Sequence, residues 1–145
     1  MRVRIWPATV LLAAGVAAGC GPRAVRSERP RTLAGSLDVV VAADTVWLTL
    51  HATNVSGAPL QLRFSSAQRF EFEVRSQTGA EVWRWSAGQA FAQVTGEERV
   101  EAGATRQWRA WWPVAGRVGQ YVAVGRLVAL DQPLALSAAF EVVRE

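Results

Sequence analysis

Thr45-Val46-Trp47-Leu48-Thr49-Leu50-His51-Ala52-Thr53 decides the fold class. Val46, Leu48, Leu50 and Ala52 fall on one face at period two, and Trp47, Thr49 and His51 fall on the other. That alternation describes a strand with one face in a core and the other toward solvent. Ala43-Asp44 before it reads as a tight turn, entered from a first strand over residues 36–42. Asn54-Val55-Ser56-Gly57 after it reads as another turn, because Asn and Gly tolerate left-handed backbone angles.

The same rhythm continues outward. Leu60, Leu62 and Phe64 alternate behind Pro59, and Phe70, Phe72 and Val74 alternate with Glu71, Glu73 and Arg75, which predicts a strand with one wet face. Residues 82–86 place Trp83 and Trp85 opposite Arg84. Residues 88–96 are irregular, with a short strand expected near Phe91 and Val94. Further strands are expected over 97–101, 106–112, 120–130 and 134–143, punctuated by Gly and Pro. No long segment carries a capped helical stripe. The reading is an all-β domain over residues 33–145: an immunoglobulin-like antiparallel β-sandwich of about seven to nine strands. No Cys pair is available to staple it, so packed aromatics and aliphatics must close the core.

All 16 basic residues are Arg. From Leu33 onward ten Arg stand against eleven Asp plus Glu, so the domain is nearly neutral despite the net charge of +4. A nucleic-acid binder needs a basic face, and none is written here. The excess charge lies ahead of the domain. Arg2 and Arg4 precede an uncharged run containing Val10, Leu11, Leu12 and Val16, and Ala17-Ala18-Gly19 leads into Cys20, the only Cys. The apolar run is of signal-peptide length and too short to span a bilayer. Residues 1–19 are expected to be a lipoprotein signal peptide. The arrangement resembles the bacterial lipobox, which implies diacylation of the Cys20 thiol. Ala17 stands where a lipobox usually carries Leu. The alternatives are an ordinary secretory leader with an incidental Cys and a buried thiol in a cytosolic protein. Residues 20–32, rich in Arg, Pro, Gly and Ser, read as a flexible tether. The chain is then exported and anchored through Cys20, on the outer side of the inner membrane or in the outer membrane. In such a setting the sequon at Asn54 is accidental.

Candidate sites are few. His51 is the only His and has no ligand-like spacing to acids, so no metal site is expected. No cofactor loop and no nucleophile elbow appear, so no catalytic residue is assigned and the domain reads as a binder, not an enzyme. Trp83, Trp85, Trp108 and Trp112, spaced by two, are expected in the core. Trp111 lies opposite Trp108 and Trp112, and Trp47 opposite Val46 and Leu48, which makes Trp47 and Trp111 candidates for exposed aromatic contacts. Gln89 and Phe91 sit in the longest irregular segment and complete the candidate interaction residues.

Three motifs in order carry a family resemblance. The stretch from Thr53 through Asn54-Val55-Ser56-Gly57-Ala58-Pro59-Leu60 to Phe64, with Ser66-Ala67-Gln68-Arg69-Phe70-Glu71-Phe72, is the first. Val82-Trp83-Arg84-Trp85-Ser86, followed by Phe91 and Gln93, is the second, and Gly119-Gln120-Tyr121 the third. Together they resemble the BsuPI-type intracellular proteinase inhibitor family, with Ala67 replacing a usual Gly and Glu71 a usual Asp. The resemblance implies an immunoglobulin-like domain and a protein partner, a subtilisin-like protease. An export leader does not fit a cytoplasmic target, so the namesake's protease does not carry over. The other reading is an envelope protein-interaction module without inhibitory activity.

Overall fold

A computed structural model of the chain describes residues 32–143. The strand read first from the sequence is β2 (Thr45–Asn54). Val46, Leu48, Leu50, Ala52 and Asn54 are fully buried along one face, as the alternation requires. It pairs antiparallel with β1 (Leu33–Ala42) through the two-residue turn at Ala43-Asp44. Ala43 takes a positive φ of 34°, a conformation hairpin turns of this length demand.

β3 (Leu60–Phe64), β4 (Phe70–Ser76), β5 (Glu81–Arg84), β6 (Gly96–Val100), β7 (Thr105–Pro113), β8 (Gly119–Leu127) and β9 (Leu134–Val142) follow, with no helix among the described residues. The described residues form three sheets in the orders β1-β2-β7, β5-β4-β8-β9 and β3-β6, all antiparallel. β1 lies over β9 and β2 over β8, so the two larger sheets face each other as the layers of a sandwich. β7 and β5 are then the edge strands on one side of the sandwich.

The core between the layers is apolar and dry. Leu48 and Leu50 share one buried cluster with Phe72, Val74 and Ala123 of the opposite sheet and with Leu62, Phe64 and Val100 of β3 and β6. At its other end Trp112 is buried against Tyr121 and Phe140, with ring centroids 5.1 and 6.3 Å away. Gly125 is closely overlain: a Cβ there would sit 3.1 Å from both Leu37 and Phe72, so either side chain would have to give by a few tenths of an ångström. The all-β sandwich expected from the sequence is thus the fold.

Four expectations change. Residues 89–95 form no strand. The eighth strand stops at Leu127, where the Val128 amide turns to the Arg69 carbonyl. Of the four tryptophans expected inside, only Trp112 is fully buried; Trp83, Trp85 and Trp108 pack against the core and stay half-exposed, since β5 and β7 are edges. The outer face of β4 is not wet: Glu71 and Glu73 are buried, roofed by arginines from neighbouring strands.

Candidate functional site

The longest irregular stretch between strands, residues 85–95, joins β5 to β6. Its backbone has no ladder to follow, yet its course is fixed at its root, its apex and its far side. At the root, Glu71 of β4 accepts hydrogen bonds from the Ser86 amide (3.2 Å) and hydroxyl, and from Gln68 (3.3 Å). A buried carboxylate that receives this many donors keeps its charge satisfied and pins whatever supplies them. At the apex, the Gln89 side-chain amide donates to the Trp85 carbonyl at 2.5 Å. Phe91 leans on the Trp85 indole, centroids 5.6 Å apart, and Trp85 in turn stacks on Phe70 at 4.1 Å. On the far side the Ala67 amide donates to the Ala92 carbonyl at 2.9 Å, and Gln93 donates to the Phe91 carbonyl at 3.1 Å. The neighbouring Arg69 donates to Glu98 (2.8 Å) and to the Ser66 carbonyl (2.7 Å) and lies over the Phe64 ring.

Gln89, Ala90, Ala92, Gln93, Val94 and Thr95 remain exposed, Val94 to 61%. The loop therefore turns at residues 85–88 and then presents an irregular, solvent-facing run over 89–95 on a hydrogen-bonded base. Gln89 and Phe91, read from the sequence as contact candidates, are the loop's own staples: one side chain ties back to the backbone, the other is half-buried on Trp85.

Beneath the arginine roof, Glu73 is 2% exposed and meets Arg75 (2.6 Å), Arg84 (3.0 Å) and Arg126. Burial pushes its carboxyl up. Hydrogen bonds from Arg75 and Arg126 and the nearby charges of Arg126 and Arg84 outweigh that and hold it below the usual 4.5. Arg84 also pairs with Glu81 of its own strand at 2.5 Å, while its contacts with Glu71 and Glu73 tie β5 to β4 by charge as well as by the short ladder.

Trp47 and Trp111 are directly opposite each other in the β2–β7 ladder, on the outer face of that sheet, with Val40 opposite Trp47 on β1. They are 41% and 53% exposed, and Val40 57%, so an apolar row crosses the sheet. His51 on the same face bonds Asp38 at 2.9 Å. Among the described residues no group of three or more His, Cys, Asp or Glu is placed to hold a metal. The leader, Cys20 and the tether lie outside the described residues.

The BsuPI family, described as intracellular proteinase inhibitor, matches residues 33–132. The chain belongs to this family. Parts of the first two motifs now have a common place: residues from Ser66 to Phe72 with Trp85, Ser86, Phe91 and Gln93 meet at the root and staples of the 85–95 loop in this BsuPI domain. No curated protein matches the chain. Among solved structures, similar folds include a penta-heme cytochrome c552 from Thermochromatium tepidum (TM-score 0.48, 9% identity, 77% of this chain and 40% of that one). β-Glucosidase 3B from Thermotoga neapolitana (0.46, 12%, 79% and 16%) and the putative ApaA protein from Bordetella pertussis (0.42, 15%, 79% and 96%) are others. The chain thus spans less than half the length of the first two. At these scores the likeness carries no argument for function.

Sequence reasoning missed Glu71 as the loop's anchor. The signal was present in the Glu71-to-Ser86 pairing of two family motifs, but alternation alone assigned Glu71 to solvent.

Proposed function

We propose that the chain is an exported lipoprotein, anchored through Cys20, whose BsuPI domain inhibits a subtilisin-like protease by presenting the 85–95 loop to its cleft. The observation that carries this reading is the loop itself: an exposed irregular run stapled by Glu71, Gln89 and Phe91. Protease inhibitors owe their tight binding to such preorganised segments, because the ordering cost is met before the encounter. Val94 is the large apolar side chain the loop offers to a specificity pocket.

Titration of the folded domain against a subtilisin-like protease tests this. Inhibition at or below micromolar concentration is expected, with Val94→Asp weakening it at least tenfold and Trp111→Ala leaving it unchanged. A domain that leaves the protease fully active at micromolar concentration removes the inhibitor reading. The alternative, a protein-interaction module without inhibitory action, draws its support from the exposed Trp47–Trp111 row. Intact-mass measurement of the membrane fraction tests the anchor: a chain beginning at diacylated Cys20 is expected, and an unmodified thiol rejects it.

A further inference from the structure

β7 pairs on one side only, with β2, and β5 pairs only with β4. Between these two edges runs a groove of about 430 Å³, lined by Trp83, Trp85, Arg109, Ala110, Trp111 and Pro113. An edge strand turns every second residue's N–H and C=O away from its partner, and β7 is nine residues long. Natural edges are usually covered, bulged, short, charged or ended by Pro; β7 carries Arg106, Arg109 and a terminal Pro113, but its ladder to β2 runs without a register shift and no strand covers its free side among the described residues. The groove's walls are three half-buried or exposed indoles, the residue type that dominates protein-binding hot spots.

The charge in the groove is unbalanced. Arg109 is exposed, and its guanidinium bonds only the Thr49 hydroxyl, at 3.3 Å. Arg63, Arg69, Arg75, Arg84, Arg99 and Arg126 each meet a carboxylate within 4 Å; Arg109, like Arg106 and Arg117, meets none among the described residues, and of these three it is the one that lines the groove. A cation left unpaired beside an aromatic wall on an open edge is complementary to an anionic, extended ligand. The groove is also continuous with the loop, because the Trp85 indole that lines it is the one Phe91 leans on.

We propose that the β7–β5 groove docks an extended, acidic–aliphatic segment of a partner protein. The segment adds as a strand to the free edge of β7, seats an aliphatic side chain among Trp83, Trp85 and Trp111, and gives a carboxylate to Arg109. Main-chain hydrogen bonds supply affinity in this mode, and the alternate side-chain contacts supply specificity. The inference rests on the reading of the domain as a protein binder, and it stands whether or not the loop inhibits a protease.

Selection from a random library of displayed ten-residue peptides, with the folded domain as bait and no protease present, tests it. The enriched peptides are expected to share an Asp or Glu within two residues of a Val, Ile or Leu. A synthetic peptide of the enriched sequence should shift the indole resonances of Trp83, Trp85 and Trp111 in NMR spectra. Arg109→Glu should weaken it at least tenfold with the circular-dichroism spectrum unchanged, and methylation of alternate peptide nitrogens should weaken it as much. Failure to enrich any motif, equal binding by Arg109→Glu, tolerance of N-methylation, or indole shifts confined to Trp47 each overturns the proposal. Protease titration reads the loop separately, so the two readings fail independently.

Discussion

Asn54 shows how much one polar side chain can do inside this core. It is fully buried, yet all its hydrogen-bonding capacity is used. Its amide donates to the Ala58 (2.7 Å) and Val100 (2.9 Å) carbonyls, and its carbonyl accepts from the Ser56 amide (3.0 Å) and hydroxyl (2.7 Å). The residue closes the turn after β2 and ties it to the end of β6. The same geometry withdraws the side chain from solvent, which gives the Asn-Val-Ser triplet a structural meaning in place of a glycosylation one. Asn54→Ala leaves the Val100 carbonyl and the Ser56 amide without these partners. Loss of about 2–3 kcal/mol in stability is expected, read by urea unfolding. An unchanged midpoint would show that water takes over the bonds.

At the scale of elements, the strands were legible and the loop was not. β2, β3, β7 and β9 follow from period-two patterns, because each has one buried face and the burial requirement repeats every second residue. β4 broke the rule. Its polar face is as buried as its apolar one, since Arg84 of β5 and Arg126 of β8 join β4's own Arg75 over Glu73, and no alternation can announce the part of a roof that other strands deliver. The apolar Phe91 and Val94 predict a short strand near them within the irregular segment 88–96, but Phe91 is spent on Trp85 and Val94 is exposed. The outward placement of Trp47 and Trp111 was legible; that they stand opposite each other depends on the β2–β7 register, which sequence alone does not set. The Trp85 stack governs the loop in turn. Trp85→Ala is expected to speed amide exchange at Ala67 and Ser86, whose bonds to Ala92 and Glu71 hold the loop in place, while β2 amides keep their protection. Equal exchange in both proteins would mean that the loop is held without the indole.

The whole molecule should be sensitive to acid in a defined window. Glu73 is held below its ordinary 4.5 and Asp131 below 3.8. For Asp131, burial raises the value, and hydrogen bonds with the Arg63 backbone and side chain more than reverse it. Both groups bind protons more weakly in the folded chain than in the unfolded one. Their contribution to stability is therefore complete above the unfolded values and is lost as the pH falls through the folded ones. Melting temperature should be flat near neutrality and fall from about pH 5 toward pH 2, with a shallower fall in Glu73→Gln. A Glu73→Gln protein that starts less stable but loses as much over the same interval would assign the acid response elsewhere.

Trp85 belongs to two surfaces at once, since its ring supports Phe91 and the same residue lines the β7–β5 groove. Any occupant that reorients this indole changes the energy of the loop. Thermodynamic linkage then requires the reverse by the same factor, so engagement of the loop must alter affinity in the groove. An occupant that leaves the ring where it stands couples the two faces not at all; one that turns it joins them in one equilibrium, with the sign set by the posture the ring adopts.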